Sequence, residues 1–485
     1  MKPIITERDE AIAGSREHTP SVRWALGSLA LSMLLSSLGI SIANVALPTL
    51  AQAFAASFQE VQWIIIAYLL TITVMIVSVG RLGDIMDHRR VLLAGIFLFT
   101  VASILCGVAP TLWMLIVARA VQGLGAAVLM ALTVALVRGT VPKERTGSAM
   151  GLLGTMSAIG TALGPSLGGV LIAGAGWRAI FLIMVPLGIM NVLLAHRYLP
   201  VHGQRAKVAR NGFDSLGTLL LGLTLAAYAL AMTVGGGRFD RLNVALLLAA
   251  VLGGGLFVLA EARVASPLIR LAAFRDAVLS ASLAMNALVS TVMMATLVVG
   301  PFYLSRALGL SETLVGIVLS IGPIISALSG IPAGRIVDRL GAPFMVIIGL
   351  IGMAVGSFAL SVLPAMFGIA GYIAAIAVLT PGYQLFLAAN NTAVMMDVDP
   401  DQRGVISGML SLSRNLGLIT GASVMGAVFA FASMTTDIAT AHPEAVAAGM
   451  RITFAVAAAL IVVAAVISIG SRALSTRPSP SGDVS

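Results

Sequence analysis

Fourteen apolar runs of about 20 residues follow one another along the 485-residue chain, separated by short polar stretches. A run of that length crosses the hydrocarbon core of a bilayer as a helix. The runs lie near residues 24–47, 61–80, 91–109, 112–135, 147–173, 177–197, 213–234 and 243–261, then 277–302, 312–333, 343–363, 366–396, 404–431 and 449–471. The fold class that follows is an all-α membrane protein. An even number of crossings puts both termini on one side.

The charges fix which side. Only 10% of the residues are charged, against about 25% in soluble domains. Of the 29 Lys and Arg, twenty-two fall on the side of the termini, and only Arg178, Arg238, Arg241, Arg306 and Arg451 on the other. Arg119 and Arg414 lie inside runs. Cytoplasmic loops hold the excess of Lys and Arg, so the termini are expected in the cytoplasm. The net charge of +9 therefore records sidedness rather than a nucleic-acid partner. Trp24, Trp63, Trp113 and Trp177 each stand at the start of a run, where an interfacial ring belongs. The single cysteine, Cys106, rules out a disulfide within one chain. The first run is longer than a signal-peptide core and is expected to stay as a helix.

Two features repeat. Gly80-Arg81-Leu82-Gly83-Asp84, which leads into Asp87-His88-Arg89-Arg90, recurs 254 residues later as Gly334-Arg335-Ile336-Val337-Asp338-Arg339. Gly147, Gly151, Gly160 and Gly164 of the fifth run match Gly404, Gly408, Gly417 and Gly421 of the thirteenth at a constant offset of 257. These offsets divide the chain into related six-run halves, 1–200 and 273–485, with runs seven and eight inserted at 201–272. Parallel repeats of this kind are a known transporter architecture.

On these motifs the chain resembles the major facilitator superfamily, in its fourteen-helix drug:proton antiporter branch (the EmrB/QacA type). The resemblance implies two pseudo-symmetric six-helix bundles plus two inserted helices. It makes the two charged loops a cytoplasmic gate, with Gly80, Arg81, Asp84, Arg89, Gly334, Arg335 and Asp338 as its residues; the plainer alternative is a pair of solvated stop-transfer loops. Asp87 replaces the family's usual glycine, and with His88 is expected in solvent. Gly160, Gly164, Pro165, Gly168 and Gly169 resemble the antiporter signature of exporters, and glycines every fourth residue also let two helices approach closely.

Leu115-x-x-x-Arg119-x-x-Gln122-Gly123 is similar to the motif whose arginine relatives use in proton coupling. A structural arginine bonded to backbone carbonyls is the alternative, and for Arg414 the preferred one. One departure stands out. Many members carry aspartate where Gly39 stands, and no Asp, Glu or His lies near the middle of any run. Arginine does not release its proton in proteins, so the proton carrier is missing from its expected place. Either a boundary carboxylate (Asp84 or Glu261) titrates, or a cavity made positive by Arg119 selects neutral or anionic lipophilic substrates.

Asn44, Tyr68, Gln122, Asn286, Gln384 and Asn391, with Asn390, are candidate cavity-lining residues, each equally able to bind helix to helix. Lys2, Lys143 and Lys207 are the only lysines and none follows a glycine, so no phosphate loop of an ATPase is present. His18, His88, His196, His202 and His442 are scattered without metal-ligand spacing. The expectation is a non-enzymatic secondary exporter of small lipophilic compounds in a bacterial inner membrane, H⁺-coupled, with no cofactor and no metal. Its partners would be substrate, protons, membrane lipids and a periplasmic adaptor, its state a monomer. An importer or lipid-handling facilitator, or a membrane sensor, is the alternative.

Overall fold

A computed structural model describes residues 19–141, 146–199, 215–234, 240–264, 276–395, 403–434 and 441–475. The described residues are helical almost throughout, and thirteen helices are long and apolar enough to cross a membrane. In chain order they are α1 (Thr19–Val45), α2 (Phe58–Ile85), α3 (His88–Val108), α4 (Leu112–Thr140) and α5 (Thr146–Ala175). A short turn, Ala179–Leu182, leads into α6 (Met184–Tyr198), followed by α7 (Ser215–Thr233), α8 (Arg241–Glu261), α9 (Ala277–Phe302) and α10 (Glu312–Leu340).

The next helical stretch, Ala342–Met395, is 54 residues long and non-helical at Gly368 (φ 55°, ψ −127°). Unbent, it would measure about 80 Å, far beyond any bilayer. It folds back on itself instead. Gly349 meets the backbone of Phe386, Gly352 that of Gly382 and Gly356 that of Leu379, an antiparallel register. Residues 342–367 are therefore α11 and 369–395 are α12. The sequence places the break at 363–366, beside Pro364; the helix runs through that proline and turns where only glycine adopts a positive φ at little cost. Arg403–Thr420 forms α13, continued by a π-helical turn (Gly421–Met425) and Gly426–Ala432, and Pro443–Ser475 is α14.

Side chains settle the helix starts at the polar ends of the runs. Ser57 and Glu60 form a reciprocal capping box on α2, Asp87 caps α3, Thr111 caps α4 and Asp276 caps α9. Each satisfies backbone N–H groups that the helix itself leaves unpaired.

Packing follows the glycines. Helices α1 to α6 pack on one another through α1–α5, α1–α4, α2–α4, α3–α4 and the contacts of α6 with α1 and α3. Helices α9 to α14 do likewise, chiefly through α9–α13, α9–α14 and the α10–α11–α12–α14 contacts. At Gly160 an added Cβ would come within 2.6 Å of the Leu34 carbonyl and 3.2 Å of Ser37 Cβ; at Gly417 it would come within 2.2 Å of the Ala287 carbonyl and 2.7 Å of Ser290 Cβ. Leu34 to Ala287 and Ser37 to Ser290 are both steps of 253, so α5 on α1 and α13 on α9 share one contact pattern.

Candidate functional site

The most deeply buried charge is Arg119, on α4, with no exposed surface. Its Nε donates to the Ile64 carbonyl of α2 (3.0 Å) and one terminal nitrogen to the Gly39 carbonyl of α1 (3.0 Å). The other donates to Gln122 Oε1 (2.5 Å). The guanidinium lies 4.1 Å from the centre of the Tyr68 ring. Gln122 passes the network on, its Nε2 donating to Ser103 Oγ on α3 (2.8 Å). Burying a charge without such partners would cost several kcal/mol, and hydrogen bonds to charged groups each return about 1.5–3 kcal/mol. The arrangement binds α1, α2, α3 and α4 into one block.

Tyr68 explains the missing acid at Gly39. Its hydroxyl donates to the Ser36 carbonyl (2.9 Å), and a Cβ on Gly39 would sit 2.8 Å from that oxygen. The space beside Gly39 is already filled.

A second cluster joins the two helix groups, at the end opposite both charged segments. Phe58, at the start of α2, is fully buried with ring centroids 4.7 Å from Phe302 and 5.4 Å from Phe429. One turn on, Gln62 Nε2 donates to the Ala422 carbonyl inside the π turn after α13 (2.8 Å). A Cβ on Gly426 would collide with that amide at 1.7 Å, so glycine is what lets Gln62 reach its acceptor. On the other flank, α5 crosses α10 backbone to backbone. A Cβ on Gly169 would lie 2.6 Å from the Glu312 carbonyl, and one on Gly316 2.4 Å from the Pro165 carbonyl.

Helix α7 lies along α2. Trp63 Nε1 donates to Thr233 Oγ1 (3.0 Å), Gly222 faces Val74, and Ser78 and Thr218 share a hydrogen bond (2.7 Å). The Tyr228 hydroxyl donates to Thr420 of α13 (3.2 Å). Helix α8 packs on α7 and leaves most of its side chains exposed or only half-buried.

The expected site residues divide as follows. Gly160, Gly164 and Gly168 face α1, and Gly169 faces α10. Gly80, Arg81 and Asp84 lie within α2, but their side chains fall outside the described residues. Arg89 donates to the His196 carbonyl at the end of α6, within the first helix group. Asp87 accepts from the Arg89 backbone N–H and lies 3.8 Å from Arg90, so it is a helix cap rather than only a solvated charge. Gly334, Arg335 and Asp338 lie in the last turns of α10 rather than in a loop; Arg335 and Asp338 are exposed, and Gly334 faces open space.

Among the cavity candidates, Asn44 donates to Ile40 of its own helix and its buried Oδ1 lacks a partner among the described residues. Asn286 donates to the Leu410 carbonyl (2.8 Å) and Gln384 to Ser326 (2.7 Å), both bonds between helices. Asn390 accepts from Ser282 (2.7 Å), whereas Asn391 is exposed. Phe58, Gln62, Phe302 and Phe429 were not foreseen; the only hint is two glutamines, Gln59 and Gln62, one turn apart at the head of an apolar run.

The family model of the major facilitator superfamily matches residues 29–422 and 282–485. The chain belongs to the major facilitator superfamily. It is 31% identical over 405 residues to the multidrug resistance protein Stp of Mycobacterium tuberculosis, covering 82% of this chain and 74% of Stp. It is 29% identical over 404 residues to the riboflavin transporter RibZ of Clostridioides difficile, covering 83% of this chain and 87% of RibZ. The crystal structure of a bacterial homologue of the human lysosomal transporter Spinster, inward-facing and occupied, shares the fold (TM-score 0.68, 16% identity, 95% of this chain and 99% of that one). The protein is thus a multi-span membrane transporter of this superfamily, with drug-resistance relatives.

Proposed function

We propose that the chain is a secondary active exporter of small lipophilic compounds that works by alternating access. Its fourteen crossings would comprise two pseudo-symmetric bundles, residues 1–200 and 273–485, with the α7–α8 pair at 201–272 inserted between them. The observation that carries this reading is the distribution of contacts between the two groups. Phe58, Gln62 and the Gly169–Gly316 crossing close one end, and that end lies opposite both charged segments. With the termini in the cytoplasm of an inner-membrane protein, the closed end faces outward and the chain stands in an inward-facing state. The shared α1–α5 and α9–α13 contact pattern supports the repeat, and the multidrug relative supports efflux.

In this reading the charged segments at 80–90 and 334–339, which lie largely in the last turns of α2 and α10, latch the cytoplasmic end only in the opposite state. Arg119, bonded to two backbone carbonyls, is a positioning residue. Proton coupling then falls to a carboxylate at a helix end, with Asp84 as the first candidate. An importer or facilitator is the second reading. The absence of a mid-span acid and the riboflavin-transporting relative favour it.

Uptake into everted vesicles under an imposed pH gradient separates the two. Accumulation that a protonophore abolishes is expected of the exporter, and accumulation indifferent to the gradient would leave the facilitator. Asp84→Asn should cripple turnover while sparing membrane insertion.

A further inference from the structure

We propose that the cytoplasmic rim where α1, α3 and α6 meet is a binding site for the headgroup of an anionic phospholipid of the inner leaflet. The inference rests on the cytoplasmic placement of the termini given above, but not on what is transported.

Three helix ends converge there. The first turns of α1 carry Arg23 and Trp24, the first turn of α3 carries Arg89 and Arg90, and the last turn of α6 carries His196, Arg197 and Tyr198. Asn191 ties α6 to α1 through Ser28 and Ser32 (both 2.8 Å), and Arg89 ties α3 to the His196 carbonyl. The convergence is therefore held by bonds inside the fold.

The chemistry is that of a headgroup seat. Trp24, 53% exposed, stacks on Tyr198 at 5.9 Å, with the Arg197 guanidinium 6.0 Å from the same tyrosine ring. Aromatic rings with one apolar and one wet end settle at the level of the headgroups. The rim carries four arginines (Arg23, Arg89, Arg90 and Arg197) and, among the described side chains of these helix ends, one carboxylate, Asp87, which caps α3 and lies 3.8 Å from Arg90. Arg90 is 82% exposed, and Arg89 Nε, buried, has no acceptor among the described residues. The N-terminus of α3 adds its positive dipole end. A guanidinium fork matches phosphate oxygens in pairs, and basic clusters beside membrane helices hold anionic headgroups. Charge complementarity thus selects an anionic lipid over a zwitterionic one.

The test uses the full chain in detergent, titrated separately with phosphatidylglycerol and phosphatidylcholine and read by native mass spectrometry. Phosphatidylglycerol adducts should persist where phosphatidylcholine adducts do not. The double variant Arg23→Gln with Arg197→Gln should weaken them roughly 25-fold, taking about fivefold for each arginine near a headgroup. Arg241→Gln with Arg451→Gln, which removes the same charge at the opposite end, should leave them unchanged. Equal retention of the two lipids, undiminished adducts in the first variant, or equal loss in the second would each overturn the site. So would displacement of the lipid by excess inorganic phosphate. The topology is checked apart from this: a cysteine at position 23 that is labelled only from outside the cell would overturn the orientation, whatever the lipid result.

Discussion

Replacing Gly39 with alanine tests whether Tyr68 fills the place of the absent first-helix acid. The new Cβ would lie 2.8 Å from Tyr68 Oη, 3.3 Å from Cζ and 3.5 Å from Phe99 Cε2. Tyr68 has nowhere to retreat: it is fully buried, bonded to the Ser36 carbonyl and stacked under Arg119. Overpacking of this kind costs about 1–3 kcal/mol. Tyr68→Phe alone loses one buried hydrogen bond, about 0.5–1.5 kcal/mol. Joined to Gly39→Ala, it also removes the clashing oxygen, so the nearest atom becomes Cζ at 3.3 Å. The double variant should then be less destabilised than the two singles added together, by about 1 kcal/mol or more. Graded unfolding in SDS of the wild type, both singles and the double variant gives the coupling. Additivity within about 0.5 kcal/mol, the behaviour of independent sites, would refute the idea that the two residues compete for one space.

Three further outcomes follow from the same contacts. Gln62→Ala removes the bond to the Ala422 carbonyl, worth about 1 kcal/mol, and should favour opening of the outer end about fivefold. Spin labels across α2 and α13 at that end would read the longer distances, and an unchanged distribution would count against the closure. Gly316→Val pushes a side chain into the Pro165 carbonyl and should abolish transport with normal membrane insertion, whereas Gly154→Ala, which meets nothing within 4 Å, should leave expression and transport intact. Cys106 is fully buried, so maleimide should label the folded protein negligibly and the SDS-unfolded protein completely; fast labelling when folded would contradict the packing of α3.

The helices were legible in the sequence because nothing but lipid-crossing segments accounts for runs so apolar and so regularly spaced. The glycine ladder of α5 was legible for a related reason: close helix approach demands small residues, and three of them, Gly160, Gly164 and Gly168, point along one face. What stayed hidden depends on partners far away in the chain. Arg119 was read either as a relay or as a structural residue, and the choice turns on carbonyls of Ile64 and Gly39, 55 and 80 positions away. Phe58 looked like one more apolar residue until Phe302 and Phe429 closed around it. The turn at Gly368 was misplaced by a few residues because Pro364 is the stronger breaker in isolation, yet neighbouring helices tolerate a proline within a membrane helix.

Helix α7 is stitched to α2 at Thr218, Gly222 and Thr233, whereas among the described residues its side-chain hydrogen bond to α13 is that of the Tyr228 hydroxyl. Such unequal fastening makes the inserted pair cargo of the first bundle. Under the proposed rocking of the bundles, α7 and α8 would travel with α2 and give up the Tyr228–Thr420 hydrogen bond, so this edge of the seam would keep a curtain of protein against the lipid. The α5–α10 edge needs no such curtain, because the backbones of the two bundles already meet there at Gly169 and Gly316.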